Sequence, residues 1–151
     1  MRLLDRWSDA TSTSAPGWVD RRGRSPLTLY LEYLIRRRKW EEHAWKAGGS
    51  QKPAFSRLMQ DLAILHGDLS SPASLESRDN SIVKPPSRDP RTVKVVSVDR
   101  NGDDVEIRTL EEEFEGLLPI GYRIVVGKSD GCWQLIDRVT DQEPGRQLHR
   151  L

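Results

Sequence analysis

Between Thr92 and Val139 the sequence alternates apolar and polar residues with a period of two, and the alternation is interrupted at two Xaa-Gly pairs and at the acidic stretch 111–119. A period of two places successive side chains on opposite faces of a strand, so this stretch reads as sheet. "TVKVVSVD" (92–99) is rich in β-branched residues, and Asn101-Gly102 follows it as a hairpin turn signal. "DVEIRT" (104–109) sets Val105, Ile107 and Thr109 on one side and Glu106 and Arg108 on the other. "IGYRIVVGK" (120–128) sets Tyr122, Ile124 and Val126 against Arg123 and Val125. Asp130-Gly131 then turns the chain into "CWQLIDRV" (132–139), where strict alternation carries Trp133, Leu135 and Asp137 toward one face and Cys132 and Ile136 toward the other. Consecutive strands joined this way predict an antiparallel meander of about four strands.

A sheet with one apolar face needs a cover. The preceding half of the chain supplies helical periodicity. Ser25-Pro26 is a capping side chain followed by Pro at the first helical position. Leu27, Tyr30, Leu31, Leu34 and Ile35 then fall at helical spacing, a second line of Tyr33, Trp40, Ala44 and Ala47 continues it, and Gly48-Gly49 ends it. Within this helix "RRRK" (36–39) spreads over most of a turn and reads as a solvated flank. A second helix is expected from about Pro53 to Leu65, with Phe55, Leu58, Met59, Leu62 and Leu65 on one face and Gly67 closing it. Residues 67–91 carry clusters of Ser, Pro, Asp and Asn, and Pro85-Pro86 forbid a central strand there. The fold class expected is α+β, with the N-terminal helices packed on one face of a single antiparallel sheet.

One domain fits 151 residues. Residues 1–24 form an arm rich in small polar residues, either flexible or packed back through Trp7 and Trp18; residues 25–140 form the domain; residues 141–151 form a tail. The chain carries 24 basic and 23 acidic residues, a balance that argues against a dedicated nucleic-acid binder. The single cysteine, Cys132, neither closes an internal disulfide nor heads a thiolate metal cluster, and reads as a small apolar residue. There is no zinc-ligand spacing, no phosphate-binding Gly loop and no nucleophile elbow, so no metal or cofactor is expected. No apolar run reaches the length of a membrane span, and a soluble, cytoplasmic protein is expected.

"PPSRDPRTVKVVSVDRNGDDVEIRT" followed by "GYRIVVGKSDGCWQLIDR" resembles the immunity-protein branch of the nuclear transport factor 2-like superfamily. The resemblance rests on Pro85, Pro86, Asp89 and Pro90, then Val105, Ile107 and Thr109, then Tyr122 and Ile124, and finally Gly131, Trp133 and Asp137. It covers roughly the last 70 residues; Ser87 and Arg88 stand where an aromatic is expected. The resemblance implies a cone: a strongly curved sheet wrapped around the first helix, with Tyr30, Trp133 and Asp137 lining the interior. It further implies a bacterial immunity protein, an antitoxin that binds a cognate polymorphic toxin and occludes its active surface, acting as monomer or homodimer. The alternative within the same superfamily is a small isomerase, dehydratase or hydrolase that uses Asp137 in the cone. A scaffold or dimerisation module is the third reading.

Charge points to a partner surface. From Arg91 to Pro119 four basic residues face eight acidic ones, whereas from Ser25 to Gln60 seven basic face three acidic. Within "TLEEEFEGLLP", Glu111, Glu112, Glu113 and Glu115 accompany Phe114, Leu117 and Leu118, an apolar anchor among acids suited to a basic toxin domain such as a nuclease. The competing reading is a solvated connection whose acids keep a sheet edge soluble. Of the three histidines, His43, His66 and His149, the sequence places none beside Asp137, for which backbone capping or pairing with an arginine is the competing role.

Overall fold

The computed structural model describes residues 18–46, 54–72, 74, 89–112 and 118–141. Two helices lie on one face of a four-stranded antiparallel sheet that does not close. Helix α1 spans Pro26–Lys46 and helix α2 spans Ala54–Leu69. A 3-10 turn at Pro90–Thr92 leads into strands β1 (Lys94–Asn101), β2 (Asp104–Glu111), β3 (Ile120–Ser129) and β4 (Cys132–Thr140), in the spatial order β1-β2-β3-β4.

Helix α1 begins as the sequence predicts. The Ser25 hydroxyl accepts from Thr28 N at 3.2 Å, and the Ser25 carbonyl accepts from Leu29 N at 2.9 Å. Leu29, Tyr30, Leu31, Tyr33, Leu34, Trp40 and Ala44 are buried in the core. The "RRRK" run is not a solvated flank throughout, because Arg37 points inward and is 0% exposed. It pairs with Glu41, also 0% exposed, at 3.4 Å, and its guanidinium lies 4.6 Å from the Trp40 ring centroid. Four consecutive helical residues spread over most of a turn, so one of them had to face the core. Its neighbours stay outside, Arg36 at 3.1 Å from Asp68 on α2 and Arg38 at 3.4 Å from Glu42.

Helix α2 runs four residues past its expected end, through Gly67 to Leu69. Leu69 is fully buried and extends the row Leu58, Leu62, Leu65, so packing outweighs the glycine's low helix propensity. The two helices are joined where the Trp40 indole donates to the Leu58 carbonyl at 2.8 Å.

In the sheet, Val105, Ile107, Tyr122, Ile124, Val126, Trp133 and Leu135 form one layer with the helical residues. Each large aliphatic side chain fully buried there contributes about 1.5–3 kcal/mol. The second hairpin turn is Asp130-Gly131, both with positive φ (53° and 76°), joining Ser129 to Cys132. The first turn is offset by one residue from its sequence signal: Asn101 still pairs with Asp104, and Gly102 (φ 65°) is the first of the two loop residues. That is the II′ arrangement, in which the positive φ falls on the glycine alone.

Both outer strands carry a β-bulge. In β1 the register shifts between Val95 and Ser97, which leaves Val96 unpaired and 61% exposed. In β4, Val126 pairs with Leu135 but Val125 pairs with Asp137, so Ile136 is the extra residue.

Candidate functional site

The β4 bulge decides which side chains reach the interior. Beyond Ile136 the alternation is inverted. Asp137 stands opposite Val125 on the outer face, and Arg138 stands opposite Ile124 on the face toward the helices. Asp137 therefore does not share a face with Trp133, as strict alternation had placed it; the extra residue shifts the phase by one. Trp133 and Tyr30 do point inward, each 0% exposed.

The group that gathers in the interior is Tyr30, Thr109, Glu111 and Arg138. Glu111 continues the row Val105, Ile107, Thr109 along β2 and is 2% exposed. Its Oε2 accepts from the Tyr30 hydroxyl and from the Thr109 hydroxyl, each at 2.5 Å. Its Oε1 accepts from Arg138 Nη2 at 2.8 Å, and Arg138 Nε donates to the Tyr30 oxygen at 3.0 Å. The guanidinium also covers the Tyr122 ring, 4.1 Å from its centroid. Every oxygen of the carboxylate is engaged, and its charge is matched by a guanidinium in the same layer. Burial raises the Tyr30 phenol pKa well above its ordinary value; Arg138 opposes that rise and Glu111 adds to it.

Glu111 is thus not an exposed member of an acidic docking run. Its carboxylate ties the end of β2 to α1 through Tyr30 and to β4 through Arg138. Because Glu111 also pairs with Ile120 at the start of β3, this cluster clamps the base of the connection between the two strands. At the described ends of that connection Glu112 is exposed, Leu118 is 88% exposed and Ile120 is 37% exposed. Glu113, Phe114 and Glu115 lie outside the described residues.

The outer face of the sheet is mixed. Arg108 lies 3.2 Å from Glu106 and 2.8 Å from Asp141, beside half-buried Leu110, Val125 and Val139. Cys132 is buried at the start of β4, opposite Ser129, with Arg21 Nη2 3.8 Å from its sulfur. On the helical side a shallow groove of about 300 Å³ is lined by Arg36, Lys39, Trp40, His43, Asp61 and Leu65, and by none of Tyr30, Trp133 or Asp137. His66 is buried on α2, its Nδ1 3.2 Å from the Ser70 hydroxyl. At the 3-10 turn the Asp89 carboxylate caps Arg91 N at 3.0 Å, and its hydrogen bonds with the Arg91 side chain hold its pKa below the ordinary carboxylate value. Among the described residues no group of three or more His, Cys, Asp or Glu is placed to hold a metal ion. No helix among them is long and apolar enough to cross a membrane.

Sequence reasoning passed over Arg138 and the inward role of Glu111. The signal for Glu111 was present, since it falls two residues after Thr109 in the inward row. Arg138 carried no such signal, because its direction depends on a bulge that nothing in "QLIDR" announces. No family model, no characterised protein and no solved structure matches this chain.

Proposed function

We propose that this protein is an immunity protein: a cytoplasmic binding module that holds a cognate toxin domain and blocks its active surface, with no chemistry of its own. The observation that carries the reading is the β2–β3 end of the sheet. Leu118, 88% exposed, and Ile120 stand beside exposed Glu112, on a stem fixed by the Glu111 cluster. Exposed apolar side chains rimmed by charge are the make-up of an anchor-and-rim interface, and a stem held in place lowers the entropy lost on binding. The acidic excess of this half of the chain suits a basic partner, and it steers encounter as well as discriminating against acidic surfaces. The sheet is read as a curved wall around α1 in the manner of the nuclear transport factor 2-like cone; the bulges at Val96 and Ile136 support it, because bulged strands bend.

The enzyme alternative draws less support. A base in the cone needs a side chain that reaches an interior cavity, whereas Asp137 faces outward and Tyr30 and Trp133 fill the space between sheet and helix.

Co-production with the toxin domain encoded beside this chain tests the proposal. A stable stoichiometric complex and restored growth are expected. The double variant Glu112→Lys, Leu118→Lys should keep its fold, by circular dichroism, and lose rescue, with a larger loss of affinity at low salt than at high salt. Absence of both complex and rescue for the unaltered chain would overturn the function. Rescue undiminished in the double variant would move the interface elsewhere.

A further inference from the structure

Helices α1 and α2 leave a furrow between them whose two walls differ in charge. Arg36 lies 3.1 Å from Asp68 near the end of α2, and the Trp40 indole reaches the Leu58 carbonyl nearer its start, so the helices are antiparallel. The groove of about 300 Å³ between them has Trp40 and Leu65 as its floor, and Arg36, Lys39 and His43 as its α1 wall. These three recur every three or four residues, so they share one face in a row about 10 Å long. Asp61 forms the α2 wall. Ile64, on the same face of α2, is 60% exposed beside it.

The charges of this groove are unevenly committed. Asp61 lies 3.8 Å from Arg57 on its own helix. Asp68 is held by Arg36, in an ion pair that spans the two helices and closes one end of the groove. Lys39 and His43 are exposed and one turn apart, and among the described residues neither side chain takes part in an ion pair or a hydrogen bond. An apolar floor with uncommitted basic groups along one wall only is complementary to a ligand that is apolar on one stripe and acidic on one flank.

We propose that this groove docks an amphipathic helix of another protein, which sets apolar side chains over Trp40, Leu65 and Ile64 and carboxylates one turn apart against Lys39 and His43. Two antiparallel helices present a groove parallel to their axes, and a third helix laid there buries its apolar stripe. The groove is too shallow to enclose a small molecule, which a pocket covers over most of its surface. Nucleic acid fits it less well. A phosphate backbone is charged along its whole length and meets Asp61 and Asp68 of the opposite wall, whereas a helix turns its carboxylates toward α1 alone. The groove shares no residue with the β2–β3 surface, so it stands or falls independently of the immunity reading.

The probe is a synthetic helical peptide with leucines along one stripe and glutamates one turn apart on one flank. It is titrated into the full chain labelled with nitrogen-15. Amide shifts confined to α1 from Arg36 onward and to the facing turns of α2 are expected. The glutamine counterpart of the peptide should bind about fivefold more weakly at low salt, and the difference should shrink at high salt. Lys39→Glu combined with His43→Glu should weaken binding of the acidic peptide about tenfold and move the melting temperature by only a few degrees, because both side chains are exposed. Should that variant not fold, Lys39→Gln takes its place, with a loss of about threefold. Shifts that spare the groove at millimolar peptide, equal affinity for the two peptides, or undiminished affinity in the variant would each overturn the proposal. So would single-stranded DNA or RNA that shifts the same amides at a lower concentration than the peptide, since the groove would then belong to phosphate.

Discussion

Tyr30 shows how one side chain can couple three elements. Its hydroxyl donates a hydrogen bond to Glu111 on β2 and accepts one from Arg138 on β4, while its ring stacks near Tyr33, with centroids 6.4 Å apart. Tyr30→Phe removes both hydrogen bonds and leaves the ring, so a loss of about 1.5–3 kcal/mol is expected from a bond to a charged acceptor. The pH dependence has a definite sign. The folded phenol ionises well above its ordinary value, so the unfolded chain loses that proton first. Its contribution is fully present below about pH 10 and is lost as pH rises beyond it. Urea unfolding at pH 8 and pH 11 should therefore show the gap between Tyr30→Phe and the unaltered chain narrowing at the higher pH. A gap that widens would contradict the buried, protonated phenol.

At the scale of the element, β4 does two jobs because it contains one residue too many. Trp133 and Leu135 enter the core in the first phase, and Arg138 enters it in the second, with Ile136 as the step between. Ile136 is not idle: a Cβ added at Gly127 would overlap its Cδ1 and would lie 2.8 Å from Asp104 Oδ1, so the bulge packs closely over bare β3 backbone. Deleting Ile136 still leaves Arg138 facing Glu111, because the bulge is simply removed. With the bulge kept, an alanine inserted after Ile136 moves Asp137 opposite Ile124 and turns Arg138 outward, leaving Glu111 buried without its guanidinium, a change worth about 3–5 kcal/mol. The deletion should therefore melt closer to the unaltered chain than the insertion does, by thermal circular dichroism. The reverse order would mean that the bulge at Ile136 does not set the inward direction of Arg138.

Over the whole molecule, Trp133 is where sheet, helices and the segment before α1 meet. Its ring is fully buried, its backbone N–H donates to Asp20 Oδ2, its indole N–H donates to the Trp18 carbonyl, and Lys128 lies 4.7 Å from its ring centroid. Trp133→Ala removes a large core side chain together with the indole hydrogen bond, and a loss of about 3–5 kcal/mol is expected. Denaturant titration followed by far-ultraviolet circular dichroism checks this, and a loss below 1 kcal/mol would show that the core is not organised around this residue. Charge has a different organisation. The basic residues of α1 are largely matched within the fold, Arg36 by Asp68, Arg37 by Glu41 and Arg38 by Glu42, whereas the acids at the β2–β3 end include exposed Glu112. Lys39, Lys46 and Arg57 nevertheless remain exposed on the helices, and between Arg91 and Glu112 the exposed acids Asp99, Asp103 and Glu112 stand with exposed Arg91, Lys94 and Arg100, so among the described residues the acidic excess seen in the sequence does not carry over to the surface of the sheet.

The α+β class, the cap at Ser25, the turn at Asp130-Gly131 and the inward rows of β2 and β3 were legible in the sequence. Each depends on local geometry: the period of a strand or helix, a side chain reaching its own backbone, a residue that tolerates positive φ. The inward turn of Arg138, the burial of Arg37 and the capture of Glu111 were not legible. A bulge is relieved by contacts with the neighbouring strand, and a buried charge is tolerated only when a partner distant in the chain arrives beside it. Glu111 meets Tyr30 across 81 residues and Arg138 across 27, and only the packed fold brings the three together.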